Sequence, residues 1–548
     1  MTVDGKSRVA NILKQEGVEF VFCFPNNILI DAVADAGIRP IISRVERTAI
    51  NMADGYTRIN NGKKNGVCIF QAGPGIENAF SGVAQAYSDS SPILILPGHQ
   101  GNKRVGMTSD FNASSNYQHV TKWADFVNSP DRINEMMRRA YTNLRIGRPQ
   151  PVLLEMPTDV MTSQISDEAA LYNNVDSRRS AGDPRDIEAT AALLLNADRP
   201  VIYAGQGVLY AEASDELTQL SELLGIPVLT TTLGKSAFPE NHPLSLGTGG
   251  NTCTKMVGEF LRDADVVFGI GTSFQKTLAS APITPGKTII QSTIDDKDIN
   301  GEYEVNEVII GDSKLVLQQL IEVIKQMNLP VDEERKYKTM ERISSLRQEF
   351  LSEWEPRLTS NTTPISPYRV VWELENNLDK ANSIVTHDSG NPRDQIVPFY
   401  TATVPRGYLG WGNSTPLGAG FGLAMGAKLA EPTKTVVNLM GDTAVGMMGT
   451  DFETAVREEI GTITVIINNG AMGGYEKHMP IAIEKYNSKY TTGNYSEMAA
   501  SLGAHSERIT DPADIAASIK RAVEVSKSNQ PVVLEFITRE EPILSNYY

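Results

Sequence analysis

Two polar segments at predicted strand ends could together bind a divalent cation. The apolar run VVNLM ends in Gly441, Asp442 and Thr443, a helical segment follows, and the next apolar run, TITVIIN, ends at Asn469. In an open α/β sheet, ligands bind at the carboxyl ends of the strands. A carboxylate and an amide oxygen suit Mg²⁺, which is usually held by a few protein oxygens together with substrate phosphates. The pattern therefore predicts a cation site formed by Asp442 and Asn469.

Each of these segments also has a simpler interpretation. Asp442 alone could be a turn residue before a helix, and Asn-Asn-Gly alone could be a turn after a strand. Both segments, however, fall in one predicted strand–helix–strand unit, with 27 residues from Asp442 to Asn469. This spacing favours the site over two unrelated turns.

The elements that must position these residues repeat along the chain. Short apolar runs such as VEFVFCFP, RPVIYAGQG and QPVVLEFIT alternate with helix-length segments, a pattern typical of parallel sheets covered by helices on both faces. Polar stretches divide the pattern into three blocks. We predict an α/β fold with three doubly wound parallel-sheet domains, at residues 1–160, 183–330 and 365–548. The first and third blocks have similar lengths and similar strand-to-Gly turns, which suggests related folds.

Composition narrows the class of protein. A chain of 548 residues is too long for a single hydrophobic core. Its net charge of −16 opposes binding to nucleic acid and to anionic membranes. The three cysteines are widely spaced, which argues against a disulfide framework or a zinc site. The first 20 residues are typical of an amphipathic helix, and the apolar runs are too short to span a bilayer. We expect a cytoplasmic protein.

The segment from Asp442 to Asn469 resembles the diphosphate- and metal-binding motif of thiamine diphosphate enzymes, GDG followed by NN, with Thr443 in place of the second Gly. A β-branched residue resists positive φ, so Thr443 puts the backbone geometry of this turn in question. Further segments resemble the acetolactate synthase, benzoylformate decarboxylase and pyruvate oxidase group and extend the resemblance over essentially the whole chain. They are ISRVERTAINMADGYTRI, FQAGPGIENA, RPQPVLLEMPTDV, LGKSAFPENHPLSLGTGG and PLGAGFGLAMGAKLA.

The resemblance implies thiamine diphosphate and Mg²⁺ as cofactors. It places the metal ligands at Asp442, Asn469 and the backbone carbonyl of Ala471, and the essential glutamate of the family at Glu46. Leu417 falls at the position of the bulky residue that holds the cofactor bent. The other implied cofactor contacts are Gly390, Asn391, Thr415, Gly441, Thr443 and Ala444.

Glu46 would hydrogen-bond the pyrimidine ring nitrogen of the cofactor, so that the exocyclic nitrogen becomes a base. The alternative for Glu46 is a solvated carboxylate that pairs with Arg44 or Arg47. The resemblance favours the catalytic role.

Residues on the substrate side are suggested by position alone. Asn27, Gln71, His99 and Gln100 are the catalytic candidates there, and Phe111 and Asn112 are similarly placed. His99 could transfer protons near neutral pH. A single histidine after a strand can equally be a structural hydrogen-bond donor.

The resemblance implies an enzyme that makes or breaks a carbon–carbon bond of a 2-oxo acid, most simply an acetolactate synthase-like decarboxylating carboligase. A 2-oxo acid decarboxylase or 2-hydroxyacyl lyase is the alternative, and an inactive cofactor-binding subunit is a third hypothesis. The resemblance also implies a homodimer or homotetramer with active sites at the subunit interface. In the middle block no Arg-rich segment follows ADVVFGIGTSF, so we expect no bound flavin and a structural role for that block.

Overall fold

Three six-stranded parallel sheets with flanking helices form the framework of the protein. The structure is a computed structural model that describes residues 2–166, 171–328 and 332–548. The predicted domain limits at residues 1 and 330 lie outside these described residues. The predicted fold class is confirmed.

The first sheet positions the segment that carries Glu46. Its strands lie in the order β3-β2-β4-β5-β7-β6, and a short antiparallel pair, β1 and β8, joins the two ends of the domain. The strands are β1 Thr2–Asp4, β2 Phe20–Cys23, β3 Arg39–Ile42, β4 Val67–Phe70, β5 Leu94–His99, β6 Trp123–Phe126, β7 Val152–Pro157 and β8 Gln164–Ser166. The helices are α1 Gly5–Gln15, α2 Ile28–Asp35, α3 Glu46–Ile59, α4 Pro74–Ser88, α5 Ala113–Asn116, α6 Ile133–Arg145 and α7 Thr158–Thr162.

The middle sheet has the order β11-β10-β9-β12-β13-β14. Its strands are β9 Pro200–Ala204, β10 Val228–Thr231, β11 Ser245–Gly249, β12 Val266–Ile270, β13 Thr288–Thr293 and β14 Glu307–Ile310. The helices are α8 Pro184–Asn196, α9 Gln206–Tyr210, α10 Ser214–Leu224, α11 Lys255–Asp263 and α12 Ser313–Gln326, and α13 Glu333–Leu358 leads to the third domain. Counted from its first strand, the order is 3-2-1-4-5-6, which is common in doubly wound domains.

The third sheet repeats the strand order of the first. Its order is β16-β15-β17-β18-β20-β19, so both orders are 2-1-3-4-6-5 when only the six strands of each sheet are numbered along the chain. The strands are β15 Ser383–His387, β16 Tyr408–Leu409, β17 Thr435–Gly441, β18 Thr462–Asn468, β19 His505–Ile509 and β20 Val532–Ile537. The helices are α14 Pro367–Asn377, α15 Asn391–Ile396, α16 Ala419–Ala430, α17 Asp442–Met448, α18 Phe452–Arg457, α19 Pro480–Tyr486, α20 Tyr495–Ser501 and α21 Ile515–Ser526.

The amino-terminal helix is shorter than the sequence predicts. Residues 2–4 form a strand instead, paired with residues 164–166, and the helix begins at Gly5 because the Asp4 side chain accepts a hydrogen bond from the backbone N–H of Ser7. Gly17, with φ of 81°, follows the end of the helix. The 20-residue amphipathic pattern therefore covers β1, α1 and the first residue of β2.

Two further predictions concern transmembrane helices and disulfide bonds. Among the described residues, we find no helix with the length and hydrophobicity of a transmembrane segment. Cys23, Cys68 and Cys253 are buried and carry free thiols. The sequence prediction that the cysteines form no disulfide framework agrees with this arrangement.

Helices α3 and α16 pack closely and join the first domain to the third. Both run in the same direction, because Asn51 lies against Gly422 and the next turn, at Tyr56, lies against Gly426. A Cβ atom at Gly426 would lie 2.0 Å from the carbonyl oxygen of Met52, and one at Gly55 would lie 2.2 Å from that of Leu423. Only glycine permits backbones to approach this closely. The contact brings the amino ends of both helices to the same side of the protein.

We expect Gly426→Ala to lower the thermal unfolding midpoint. The added methyl group would overlap backbone atoms of α3 rather than a flexible side chain, and overpacking of this kind costs about 1–3 kcal/mol. Gly301→Ala is the matched control, because the nearest atom to its added methyl group would be the carbonyl oxygen of Asp298, at 3.7 Å. Equal midpoints for the two variants in differential scanning calorimetry would contradict this account of the domain contact.

Candidate functional site

Adjacent strands of the third sheet bring Asp442 against the turn that contains Asn469. Gly441 at the end of β17 pairs with Ile467 near the end of β18. Asp442 Oδ2 accepts a hydrogen bond from the backbone N–H of Gly470 at 2.9 Å. Asn469 Oδ1 accepts one from the backbone N–H of Ala471 at 3.0 Å. The carboxylate, the amide and the backbone of the turn thus lie together at one edge of the sheet.

The donor set of this edge fits a hard cation. Asp442 is 3% exposed, and burial raises the pKa of its carboxyl group above the usual value, while hydrogen bonds from Thr443, Thr491 and Gly470 offset part of that rise. A nearby cation would stabilise the ionised carboxylate. Carboxylate, amide and carbonyl oxygens are the ligands that Mg²⁺ prefers, so the residues present are suited to hold that ion.

Thr443 is accommodated without strain. Asp442 and Thr443 begin helix α17, and the residue before them, Gly441, has extended backbone with φ of −87°. The backbone N–H of Thr443 donates to Asp442 Oδ1 at 2.8 Å. The turn therefore does not require positive φ at Thr443, and the reason for doubting its geometry is removed.

The loop before α15 faces the same edge. Gly390 has φ of 82° and ψ of −145°, a conformation that favours glycine. Asn391 begins α15, and its Nδ2 atom lies 2.9 Å from the position of a Cβ atom built on Gly473. Gly390 and Asn391 thus lie opposite the chain that follows Asn469.

Asp388 connects this loop to the start of α16. Its side chain accepts hydrogen bonds from the backbone N–H groups of Gly418 at 2.8 Å and Gly420 at 2.9 Å. Burial raises its pKa to about 6. Leu417, directly before Gly418, is half-buried against the hydrophobic cluster that spans the first and third domains. Asp388 therefore fixes the position of Leu417 relative to the Gly390 loop.

Three further predicted cofactor contacts border this region. Thr415 is half-buried two residues before Leu417. Gly441 ends β17, and Ala444 is buried in the first turn of α17. Thr415 thus lies on the loop before α16, and Gly441 and Ala444 lie on either side of Asp442 in the chain.

Glu46 is the first residue of α3 and is 6% exposed. Its Oε2 atom accepts a hydrogen bond from Asn78 Nδ2 at 3.4 Å. The two arginines considered as its partners are directed elsewhere. Arg44 Nε lies 2.7 Å from Glu453 Oε2, and Arg47, whose pKa burial lowers, is stabilised as a cation by Asp388. Glu46 is therefore a buried carboxylate rather than part of a surface ion pair with these arginines.

Asp451 holds the start of α3 against the third domain. Its Oδ1 accepts a hydrogen bond from the backbone N–H of Arg44 and its Oδ2 accepts one from Thr48 Oγ1, both at 2.6 Å. Sequence reasoning missed Asp451, because about 400 residues separate these partners and no local pattern connects them. Its contacts flank Glu46 on both sides.

Two of the substrate-side candidates have structural roles. Asn27 Oδ1 accepts from the backbone N–H of Leu29 as the cap of α2, and its Nδ2 donates to the carbonyl oxygen of Phe70 at 2.8 Å. Asn112 caps α5 by accepting from the backbone N–H of Ser115 at 2.7 Å. Both side chains are used to fix the backbone.

Both ring nitrogens of His99 also have protein partners. Its Nε2 lies 2.9 Å from Asp110 Oδ2, and its Nδ1 lies 3.1 Å from the backbone N–H of Gly101. The ring is 2% exposed and packs edge-on against Phe126. The arrangement matches the structural alternative for His99.

Gln71 and Gln100 are placed differently. Gln71 is half-buried, and its Cβ lies 3.0 Å from the position of a Cβ atom built on Gly75, which is itself 3.7 Å from Glu46 Oε1. Gln100 is exposed at the end of β5. The fold therefore brings Gln71 close to Glu46.

A cavity of about 530 Å³ lies between the carboxyl edge of the middle sheet and the first domain, which contributes Asn61, Asp89 and Arg148 to its lining. Gly205, Thr231, Gly271, Thr293 and Asp312 line it, each at or just after the end of a strand. This is the edge where doubly wound domains bind ligands. The cavity was not predicted from the sequence, because GIGTSF is too short a glycine motif to indicate a ligand site. The expected absence of flavin stays a prediction.

Comparison with known proteins agrees with this geometry. Residues 3–127 match the family described as thiamine pyrophosphate enzyme, N-terminal TPP binding domain. Residues 187–320 match the central domain of thiamine pyrophosphate enzymes, and residues 388–536 match their C-terminal TPP binding domain. Each match falls on one of the three sheets.

Several curated proteins align over almost the whole chain. A probable acetolactate synthase large subunit of Methanocaldococcus jannaschii is 31% identical, covering 97% of this chain and 91% of that protein. The acetolactate synthase isozyme 3 large subunit of Escherichia coli is 26% identical, covering 97% and 94%. A glyoxylate carboligase of Escherichia coli is 28% identical, covering 96% and 91%.

The domain matches and the full-length relatives agree with each other and with the three-sheet architecture. The position of Asp442 at the carboxyl edge of the third sheet is also that of a ligand site in a doubly wound domain. The chain therefore belongs to the thiamine pyrophosphate enzymes and is a thiamine pyrophosphate-dependent enzyme of the carboligase and decarboxylase type.

Proposed function

We propose that the protein is an acetolactate synthase-like carboligase, which decarboxylates a 2-oxo acid and joins the remaining acyl unit to a second carbonyl compound. The observation that carries the proposal is the placement of buried Asp442 against the turn of Asn469 and Ala471 in the third domain. Relatives named acetolactate synthase support the reaction type. A 2-oxo acid decarboxylase or 2-hydroxyacyl lyase is the alternative.

In this proposal the third domain, residues 365–548, holds Mg²⁺ and the diphosphate of the cofactor. Asp442, Asn469 and the carbonyl group of Ala471 are the protein ligands of the metal. The loop of Gly390 and Asn391 offers backbone and amide groups to the diphosphate. Thr415, Gly441, Thr443 and Ala444 complete the contacts. The middle domain, residues 183–330, supports the other two.

Bound thiamine diphosphate supplies a nucleophilic carbon and an electron sink. Glu46, a buried residue of the first domain (residues 1–160), would hydrogen-bond the pyrimidine ring nitrogen and share a proton with it. Leu417 would support the bent form of the cofactor, in which its two rings are in contact, a proximity effect. Gln71 and Gln100 orient the 2-oxo acid, while Asn27 and His99 shape the pocket through their backbone contacts.

A homodimer or homotetramer with sites at the subunit interface completes the proposal, in a cytoplasmic location. Exposed apolar side chains on both sides of the site support it. Phe80, on the helix that carries Asn78, is 41% exposed, and Met447, on the helix that begins at Asp442, is 53% exposed. A second copy of the chain would bury both.

Product analysis by NMR with pyruvate and a panel of 2-oxo acids distinguishes the reactions. We expect a product with a new carbon–carbon bond, because the proposed enzyme transfers the acyl unit to a carbonyl group. Release of aldehyde alone would indicate the decarboxylase or lyase. Lack of turnover by protein loaded with cofactor and metal would indicate the inactive subunit.

We expect Glu46→Gln to retain thiamine diphosphate and lose turnover by about 10²–10⁴-fold, since an amide cannot share a proton with the pyrimidine nitrogen. Cofactor affinity is measured by calorimetry and turnover by steady-state kinetics. Glu524→Gln, at an exposed position of α21, is the control and should behave as the unmodified protein. Full turnover in the Glu46 variant would remove the proposed role.

Asp442→Ala should abolish metal-dependent retention of the cofactor, because it removes the only charged ligand in the proposed set of three. The measurement is the thiamine diphosphate content after dialysis with and without Mg²⁺. Asp215→Ala, at an exposed position of α10, is the control. If the Asp442 variant keeps its cofactor as well as this control does, the metal site is wrong.

A further inference from the structure

Glu535 is a fully buried carboxylate in an otherwise apolar strand. It lies in β20, whose sequence is VVLEFI, and its exposed fraction is 0%. Burying a carboxylate is costly unless hydrogen bonds compensate for lost hydration. None of the cofactor or substrate roles discussed above involves Glu535.

Two donors converge on the Glu535 carboxylate. Asn468 Nδ2 donates to its Oε1 at 2.6 Å, and the backbone N–H of Ser496 donates to its Oε2 at 2.9 Å. The other end of the Asn468 side chain continues the chain of bonds, because its Oδ1 accepts from the backbone N–H of Gly470 at 3.1 Å. Asn468 thus connects Glu535 to the turn that contains Asn469.

Each of the two hydrogen bonds to Glu535 fixes a segment that contacts Asp442. The bond from Asn468 orients the turn whose Gly470 N–H also donates to Asp442 Oδ2. The bond from the backbone N–H of Ser496 fixes the start of α20, and Thr491 lies shortly before that helix. Thr491 Oγ1 donates to Asp442 Oδ2 at 3.2 Å, and its backbone N–H donates to the carbonyl oxygen of Gly470 at 2.9 Å. The buried carboxylate of Glu535 therefore helps to fix the two segments that donate hydrogen bonds to Asp442.

The first domain provides a natural comparison, because it has the same strand order. Glu155 on β7 is also buried, and it accepts from the backbone N–H groups of Ala113 at 3.3 Å and Ser114 at 2.9 Å, at the start of α5. The bond from a buried glutamate to a helix start is therefore common to both domains.

The link from the glutamate to an asparagine belongs to the third domain. The residue of the first domain that corresponds to Asn468 is His99, since His99 pairs with Pro157 and Asn468 with Ile537, each two residues after the glutamate. His99 contacts Asp110 and Gly101 instead. The additional bond thus occurs in the domain that contains the Asp442 edge.

We propose that Glu535 is a positioning residue for the metal-binding turn and acts through Asn468. The inference rests on the proposed metal site at Asp442 and Asn469. Glu535 holds Asn468 in one orientation, and Asn468 holds the N–H of Gly470, so that the Asn469 side chain and the Ala471 carbonyl keep the geometry that a cation requires. Loss of such outer contacts weakens metal affinity by about 10–100-fold.

The first test is Mn²⁺ binding, followed by electron paramagnetic resonance in the presence of thiamine diphosphate. In Glu535→Gln, the new amide NH₂ group would face either Asn468 Nδ2 or the backbone N–H of Ser496, and one of these hydrogen bonds would be lost. We therefore expect Mn²⁺ affinity to fall by about 10–100-fold. Glu155→Gln is the matched control, since it makes the same change at the corresponding position of the first domain. The control should retain the affinity of the unmodified protein.

Two further variants test the link itself. Asn468→Ala leaves the bond between Glu535 and Ser496 in place and should also weaken Mn²⁺ binding, which keeps the test decisive if Glu535→Gln does not fold. In the double variant Asn468→Asp with Glu535→Gln, the donor and acceptor are exchanged, and affinity should recover towards that of the unmodified protein.

The outcomes separate this inference from the proposed function. If the unmodified protein binds Mn²⁺ and Asn468→Ala binds it equally well, the positioning role is wrong and the metal site stands. Equal weakening by Glu155→Gln and Glu535→Gln would also overturn the role, because it would reflect general loss of stability. If the unmodified protein does not bind Mn²⁺ with thiamine diphosphate, both the proposed function and this inference fail.

Discussion

The close contact between helices α3 and α16 is the constraint on which the arrangement of the first and third domains depends. Glycines at positions 55, 422 and 426 let the two backbones touch, and no larger residue would permit that distance. Because the helices run in the same direction, their amino ends lie together. Those ends carry Glu46 and the loop of Leu417. A contact between backbones thus fixes the relative positions of these two segments within one chain.

The protein uses one strand order twice with different residues at the strand ends. In the first domain, β4 is followed by Gln71 and β5 ends at His99, while in the third domain β17 leads to Asp442 and β18 to Asn469. The fold supplies the same edge in both cases, and the side chains decide its chemistry. Among these four residues, only Asp442 of the third domain is a carboxylate, the charged ligand that suits a divalent cation.

Buried acids accompany each part of the site. Burial raises the pKa of Asp388 to about 6 and raises that of Asp442 as well. A carboxyl group whose pKa is raised on folding lowers stability as pH rises through the folded value, so both groups oppose folding when ionised. Proteins commonly retain such costs at functional sites. The hydrogen bonds to Asp388 and Asp442 reduce the cost and also fix the loops around them.

The sequence by itself determined the fold class, the enzyme family and the adjacency of Asp442 and Asn469. All three follow from local patterns, because strand–helix–strand periodicity and strand-end motifs depend on residues that are close in the sequence. The tertiary structure alone decided that Arg44 pairs with Glu453, that Asn27 and His99 are engaged by the protein, and that Glu535 reaches Asn468. Their partners are brought together by packing rather than by sequence spacing, so no periodic pattern records these contacts.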